Sequence, residues 1–119
     1  MISINEISRV VSKGTTPTSV GLNFTVTGVP FIRGEDILGE AVNFSKVRTF
    51  ISSESNELLK RSELQYGDVL ITIAGTIGRV AYVGEKDLPA NCNQAVAFVR
   101  CDLAKIHPQW LCYLLRTQL

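Results

Sequence analysis

Near the start of the chain, apolar residues recur at helical spacing. Four of them share one face of a helix: Ile4, Ile7, Val10 and Val11. Ser3 and Glu6 have the spacing of a capping box, in which each side chain bonds the other's backbone amide. Gly14 is typical of a helix end. The pattern therefore predicts a short amphipathic N-terminal helix that ends near Gly14.

Apolar and β-branched runs in the middle of the chain predict strands at 29–32, 42–44, 47–51, 69–74, 79–83 and 95–100. The run 69–74 is nearly all apolar, so we expect a strand buried on both faces. The residues Gly75 to Gly78 are typical of a tight turn, which makes the strands on either side of it a hairpin. Because of Pro30, we expect either that this first strand lies at the edge of a sheet or that the proline lies at the start of the strand.

Polar stretches separate these strands. Residues 14–28 and 84–89 predict surface loops, 34–36 a turn or helical corner, and 90–94 a polar corner. Ser52 or Ser53 is placed to cap a short helix. Pro108 suits the first turn of a last helix. In that helix we expect two i,i+4 pairs on one apolar face: Trp110 with Leu114, and Leu111 with Leu115.

The length of 119 residues suits one domain, residues 1–119. No run approaches the roughly 18 apolar residues of a membrane span, and the start lacks the pattern of a signal peptide. The three cysteines have no metal-ligand spacing, so we expect reduced, mostly buried thiols, no bound metal and a cytoplasmic location. The net charge of +1 permits DNA binding only if the basic residues cluster on one face.

The sequence argues against catalysis. The single histidine, His107, precedes Pro108 and is expected to face solvent at a helix start. Residues Gly75 to Gly78 do not fit a phosphate loop. Such a loop ends in Lys-Ser or Lys-Thr and leads into a helix, whereas here a predicted strand follows. No acidic residue has a lysine two positions later, as a common nuclease motif would require, and no Pro-Pro pair is present to hold an extruded base.

Five segments, called the signature segments below, resemble in order and spacing the target-recognition domains of type I restriction-modification specificity subunits. They are residues 13–17, 29–37, 67–80, 90–95 and 110–115. The resemblance covers nearly the whole chain, and it lies in the combination of segments rather than in any one of them.

This resemblance implies an α+β fold: a compact, irregular β-rich domain with a short N-terminal and a C-terminal helix, similar to DNA methylase specificity domains. It implies sequence-specific binding of double-stranded DNA at one half of a bipartite site. The implied partners are a modification subunit, which binds S-adenosylmethionine, and a restriction subunit. The domain itself would hold no cofactor and no catalytic residue.

Complete specificity subunits of this family carry two such domains joined by long helices, whereas this chain has one. It is expected to be an excised fragment, a natural half-subunit or the product of a truncated gene. A half-subunit would need a second copy or a second recognition domain to read a bipartite site.

Family members share the signature segments yet read different DNA sequences, so these segments are expected to be mainly scaffold. The scaffold candidates are Gly67, Asp68, Gly75, Gly78, Asn91, Asn93 and Gln94. The three amides are expected to bond neighbouring backbone, with a DNA contact as the alternative for each.

Base-reading residues are expected between the signature segments, in residues 15–27, 40–61 and 84–89. Arginine and lysine suit guanine, and asparagine suits adenine. Lys13, Thr15 and Thr16 are expected at phosphates, and Arg33 and Arg79 either at phosphates or bracing an acid such as Asp36. The remaining DNA-binding candidates are Asn23, Asn43, Lys46, Arg48, Asn56, Lys60, Arg61 and Lys86.

Two alternatives remain open at this point. The last helix would suit an assembly or dimerisation module without independent DNA binding. The other alternative is a small β-rich nuclease. The string Gly67-Asp68-Val69-Leu70 occurs in many β-barrels, although the missing nucleophile and base count against that function.

Overall fold

The computed structural model describes residues 3–15, 21–38, 41–42 and 46–118. Its helices are α1 (Ile4–Ile7), α2 (Ser53–Leu58) and α3 (Pro108–Gln118). Its strands are β1 (Ser8–Lys13), β2 (Val29–Ile32), β3 (Ile37–Leu38), β4 (Ala41–Val42), β5 (Phe50–Ile51), β6 (Val69–Thr72), β7 (Val80–Tyr82), β8 (Asn91–Cys92) and β9 (Val96–Cys101). Single 3₁₀ turns cover Gly34–Asp36, Lys60–Ser62 and Glu85–Asp87. The α+β class expected from the resemblance is confirmed.

The largest sheet has four antiparallel strands in the order β1-β9-β6-β7. Lys13 lies opposite Ala97, and Thr72 lies opposite Val96. The end of β1, the start of β9, the end of β6 and the start of β7 therefore meet at one end of the sheet. We call this the motif end, because residues from several signature segments lie there.

A second sheet has the order β5-β2-β8. Strand β2 runs antiparallel to β5 and parallel to β8, with Ile32 opposite Cys92. The chain consequently leaves both strands at the same end, where the Asn93 amide donates to the Ile32 carbonyl at 2.9 Å. Since Asn93 leads directly into β9, this end of the second sheet adjoins the motif end.

The four-stranded sheet is covered on both faces. Leu70 and Phe98 pack with residues of the second sheet, such as Ile32. On the opposite face, Val69 packs with residues of α3, such as Leu111. Neighbouring side chains of β6 thus enter different clusters, so the prediction of a strand buried on both faces is confirmed for Val69–Thr72, whereas Ile73 and Ala74 lie beyond the strand and are exposed.

The predicted N-terminal helix is mostly wrong. Helix α1 ends at Ile7, and the Ser3 side chain makes no capping bond. The following residues form β1, in which half-buried and exposed positions alternate. Val10 and Val11 are β-branched and suit a strand, and β9 offers β1 a row of backbone hydrogen-bond partners. A tertiary contact therefore overrides helical spacing.

Two further predictions needed correction. Residues 90–94 are not simply a polar corner, because Asn91 and Cys92 form the fully buried strand β8. In α3, Leu111 is buried, whereas Trp110 is 54% exposed and stacks on Tyr113. The two predicted pairs therefore do not share one buried face.

Several local predictions are confirmed. Strands β6 and β7 form the hairpin, and the Ser52 hydroxyl caps α2 by accepting from the Ser55 amide at 3.0 Å. The three cysteines are buried and free. His107 is exposed at the start of α3, where its Nδ1 accepts from the Gln109 amide. No helix among the described residues has the length and apolar character needed to span a membrane.

Candidate nucleic-acid interface

A cleft of about 490 Å³ opens at the motif end. Its walls come from three signature segments, the 3₁₀ corner after β2, the β6–β7 turn and the corner before β9. The lining residues are Gly34, Glu35, Ala74, Gly75, Thr76, Arg79, Asn93 and Ala95. Segments that are distant in sequence thus form one surface, which we call the signature cleft.

The β6–β7 turn is held in shape by Thr72, a buried polar residue that the sequence analysis did not select. Its hydroxyl donates to the Thr76 carbonyl at 2.6 Å and accepts from the Arg79 amide at 2.9 Å. Gly75 and Gly78 have φ values of 71° and 93°, a region that side chains with a Cβ rarely adopt. These features fix the path of the chain along one wall of the cleft.

Arg33 and Arg79 lie beside the signature cleft and are partly engaged within the chain. Arg33 forms ion pairs with Glu35 at 3.7 Å and with Asp36 at 3.5 Å. Arg79 donates to the Ile37 carbonyl at 3.2 Å. Bracing of Asp36, one of the two roles expected for Arg33, is therefore present, and both arginines are half-buried.

Other cations reach the same end. Lys13 is exposed at the end of β1, and the backbone of Thr15 is fixed by a bond from its amide to the Cys92 carbonyl at 3.2 Å. The exposed Arg61 donates to the Lys13 carbonyl and to the Thr15 hydroxyl. The turn at Lys60–Ser62 therefore contributes a cation beside the start of the first predicted reading loop.

Lys46 and Arg48 lie just before β5 and are exposed. The Phe31 amide donates to the Thr49 carbonyl at 2.8 Å, which continues the β2–β5 register toward the end of β2. Residues 46–48 consequently lie on the side of the second sheet that adjoins the motif end. Arg48 donates to the Val47 carbonyl at 3.2 Å.

These contacts place six cations at or beside the motif end, together with two acids that pair with Arg33. The acids are Glu35 and Asp36, and the cations are Lys13, Arg33, Lys46, Arg48, Arg61 and Arg79. The net charge of +1 therefore conceals an uneven distribution. A basic cluster of this kind can attract a polyanion although the whole chain is nearly neutral.

The contacts described above include none of three further described candidates, Lys86, Lys60 and Asn23. Lys86 lies in the 3₁₀ turn after β7, at the opposite end of the sheet. Lys60 is exposed and pairs with Glu57 at 3.2 Å. Asn23 is exposed in the segment that precedes the bridge from Thr25 to Phe50. Thr16 and Asn43 lie outside the described residues.

Asn56 is in the interior and we remove it from the candidate interface. It is 5% exposed, and its side-chain nitrogen donates to Glu63 at 2.6 Å while its oxygen accepts from Asn91 at 2.8 Å. The position of Asn56 in a short predicted helix did not indicate that its side chain is buried. The amide is occupied by partners in the protein, so it is not available to a base.

Most of the expected scaffold residues make internal contacts. Asn91 is fully buried, donates to the Leu59 carbonyl at 3.1 Å and accepts from the Ser62 hydroxyl at 2.7 Å. The Asn93 oxygen accepts from the Ala95 amide at 3.0 Å. Gly67 adopts a φ of 82°. Gln94 is exposed and makes contacts of its own.

Asp68 is fully buried and is neutralised by Arg100, with an N–O distance of 2.9 Å. The same carboxylate accepts from the Gln65 amide at 2.8 Å. Arg100 is not among the residues predicted from sequence, although an arginine inside an apolar strand can indicate a buried acidic partner. The pair joins β9 to the turn that precedes β6.

Comparisons with known proteins agree with this geometry. The chain is 37% identical over 84 residues to the specificity subunit of the type I restriction enzyme EcoBI from Escherichia coli, a match that covers 71% of this chain. That match spans 17% of the relative's own length. No family model matches the chain.

The fold also matches solved structures. One belongs to a study of complex assembly and conformational transition in a type I restriction-modification system, with a TM-score of 0.72 and 23% identity over 98% of this chain. Another is the HsdS subunit from Thermoanaerobacter tengcongensis, with a TM-score of 0.65 and 24% identity over 97% of this chain. The chain covers 27% and 26% of those two proteins.

The α+β fold matches that of an HsdS subunit, and in this chain a basic surface surrounds the signature cleft. Sequence and fold together relate this chain to the specificity subunits of type I restriction-modification systems, as a homologue of one segment of them.

Proposed function

We propose that this chain binds double-stranded DNA in a sequence-specific manner and reads one half of a bipartite site. In doing so it would direct a modification subunit and a restriction subunit to that site. The observation that supports this function best is the basic cluster at the motif end, formed by a chain whose net charge is only +1. Homology to specificity subunits points the same way.

The proposed interface divides into two parts. Lys13, Thr15 and Arg79 lie on or beside signature segments and contact phosphates, which position a protein without reading sequence. Lys46 and Arg48 lie between the signature segments and read base edges, for which guanine offers two acceptors in the major groove. Asp68 and Asn91 hold the scaffold.

The chain performs no chemistry in this proposal. S-adenosylmethionine and the methylating site belong to the modification subunit, and the assembly works in the cytoplasm. Because the chain as a whole is nearly neutral, the non-specific phosphate contribution to binding is small. We therefore expect weak DNA binding by the isolated chain and tight binding by the assembly.

Methylation mapping tests the proposal directly. The chain is expressed with its modification subunit in a host that lacks other adenine methylation, and methylated positions are mapped genome-wide. We expect one bipartite motif. A triple variant, Lys13→Ala with Lys46→Ala and Arg48→Ala, should abolish it, while Lys86→Ala at the opposite end should preserve it. Methylation without a sequence motif would contradict the function.

A second candidate function, an assembly module without independent DNA binding, is favoured by one observation. Trp110 and Tyr113 stack with ring centroids 5.3 Å apart on the outer face of α3, where each is more than half exposed. Exposed aromatic residues are enriched at protein interfaces. Light scattering coupled to gel filtration tests self-assembly, and a strict monomer at high concentration would argue against it. A symmetric dimer predicts a palindromic bipartite target.

A further inference from the structure

We propose that Arg61 is a positioning residue for DNA reading: it fixes the start of the loop that follows Thr15 instead of contacting DNA itself. This inference rests on the proposed function. It changes the role expected for Arg61, which its charge and its place within residues 40–61 made a candidate for direct contact with DNA.

The contacts of the guanidinium group carry the argument. Nη1 donates to the Ser12 hydroxyl at 2.7 Å and to the Lys13 carbonyl at 3.0 Å, and Nη2 donates to the Thr15 hydroxyl at 2.5 Å. Three acceptors from the end of β1 and the residues after it thus occupy most of the N–H donors of one arginine. Few donors remain for a phosphate.

The backbone around these acceptors also bonds to β8 and β9. The Gly14 amide donates to the Val96 carbonyl at 3.1 Å, and the Thr15 amide donates to the Cys92 carbonyl at 3.2 Å. A Cβ on Gly14 would lie 2.0 Å from the Cys92 carbonyl oxygen, so the chain here passes directly against β8. Arg61 adds its side-chain contacts to the same segment, so the described chain up to Thr15 is held by β8, β9 and the turn at Lys60–Ser62.

Arg61 is itself anchored to the interior. It lies in the turn at Lys60–Ser62, and the Ser62 hydroxyl donates to the buried Asn91 oxygen at 2.7 Å. The Asn91 nitrogen donates to the Leu59 carbonyl at 3.1 Å. Asn91 belongs to β8, the strand that also holds Thr15. Both the turn at Lys60–Ser62 and the backbone of Thr15 are therefore bonded to β8. A shared support of this kind suits the precise placement of a reading loop.

The test uses the complex of this chain with its modification subunit and two duplexes: the motif found by methylation mapping and a scrambled sequence of equal length. Dissociation constants are measured over a range of salt concentrations for wild type, Arg61→Lys, Arg61→Ala and Lys60→Ala. Lysine keeps the charge but cannot reproduce the fork of donors. Lys60 is the matched control, because it is the adjacent cation and pairs with Glu57 instead.

We expect Arg61→Lys and Arg61→Ala to weaken binding of the motif about tenfold or more, since the lost hydrogen bonds involve a charged group. Binding of the scrambled duplex and the salt slope should stay at the wild-type values, as should every measurement on Lys60→Ala. The inference is overturned if Arg61→Lys binds like wild type. It is also overturned if Arg61→Ala weakens both duplexes equally and lowers the salt slope by about 0.9, the signature of a phosphate contact.

A second variant guards against simple misfolding. Ser12→Ala removes one acceptor of Nη1 without changing any charge, and it should weaken motif binding in a manner that is not additive with Arg61→Lys. Additive effects would overturn the inference. A failure of the proposed function gives a different result from a failure of this inference, because the wild-type complex would then bind the motif and the scrambled duplex equally.

Discussion

At the scale of single residues, the ion pair of Asp68 and Arg100 is expected to dominate local stability. The carboxylate is fully buried, and the arginine side chain is 13% exposed. Removing one member of a buried pair leaves an uncompensated charge in a medium that solvates it poorly. The pair also anchors the turn before β6, so its loss would loosen the central strand.

We therefore expect Asp68→Ala to lower the free energy of unfolding by about 3–5 kcal/mol, measured by denaturant titration. The control is Lys60→Ala, which breaks a pair whose side chains are 70% and 68% exposed. Such exposed pairs contribute at most about 1 kcal/mol. Similar losses in the two variants would show that the Asp68 pair is solvated in solution.

The buried thiols predict a pH dependence. Burial, with a contribution from the charge of Asp68, raises the pKa of Cys92 to about 12. Burial also raises the pKa of Cys112 to about 11. The unfolded chain loses these protons near pH 9, whereas the folded chain retains them. The unfolded state thus binds fewer protons above pH 9, and stability falls as pH rises.

We expect the free energy of unfolding to decrease by about 1.4 kcal/mol per pH unit for each thiol, at pH values between its unfolded and its folded pKa. Urea titrations at pH 8, 9 and 10 measure it. The comparison is with Cys92→Ala, whose free energy of unfolding should fall less steeply with pH because this variant lacks one of the thiols. Equal slopes in the two proteins would contradict the raised pKa.

At the scale of elements, α3 shows that the larger of two apolar side chains is not always the one that is buried. Leu111 is 2% exposed and packs in the cluster beneath the sheet, whereas the larger Trp110 is 54% exposed. Leu111→Ala should destabilise the fold by about 2–5 kcal/mol, because it leaves a cavity. Trp110→Ala should cost less than about 1 kcal/mol. Thermal unfolding of both variants checks this order, and a reversed order would place Trp110 against the core.

The N-terminal segment shows why an element can be misassigned. Spacing of apolar residues favoured a helix through Val11, yet only Ile4–Ile7 is helical. The strand that follows is stabilised by pairing with β9, whose residues come roughly ninety positions later in the chain. Local spacing carries no information about such a partner.

At the scale of the whole molecule, charge is distributed according to the sheet topology. Strand ends and turns that are far apart in sequence bring six cations to the motif end. Lys86, in contrast, lies at the other end of the same sheet, because its turn follows β7. Position in the topology therefore separates cations that look equivalent in sequence.

DNA binding should follow this division. In the complex with the modification subunit, Lys46→Ala or Arg48→Ala should weaken motif binding by about 1–3 kcal/mol and relax specificity at one base pair. Lys13→Ala should weaken all sequences alike and lower the salt slope by about 0.9. Lys86→Ala serves as the control and should change neither quantity. No effect of Lys46→Ala and Arg48→Ala would exclude residues 40–61 as the reader.

Local signals in the sequence determined much of the architecture. The hairpin of β6 and β7, the 3₁₀ corner after β2, the cap of α2 and the burial of the thiols were all predicted. Each depends on interactions within a few residues, or on apolar side chains that avoid water wherever the chain folds. The resemblance carried by the signature segments added the class of protein.

The tertiary structure alone decided the rest. It converted most of the first predicted helix into β1, moved Asn56 into the interior and paired Asp68 with Arg100. It also brought Lys13, Arg33, Arg61 and Arg79 to one end of the sheet. All of these depend on which strands pair and in which direction, since pairing joins residues that are far apart along the chain. Sequence spacing does not encode which distant residues lie close together, and the candidate interface consists of residues that strand pairing brings together.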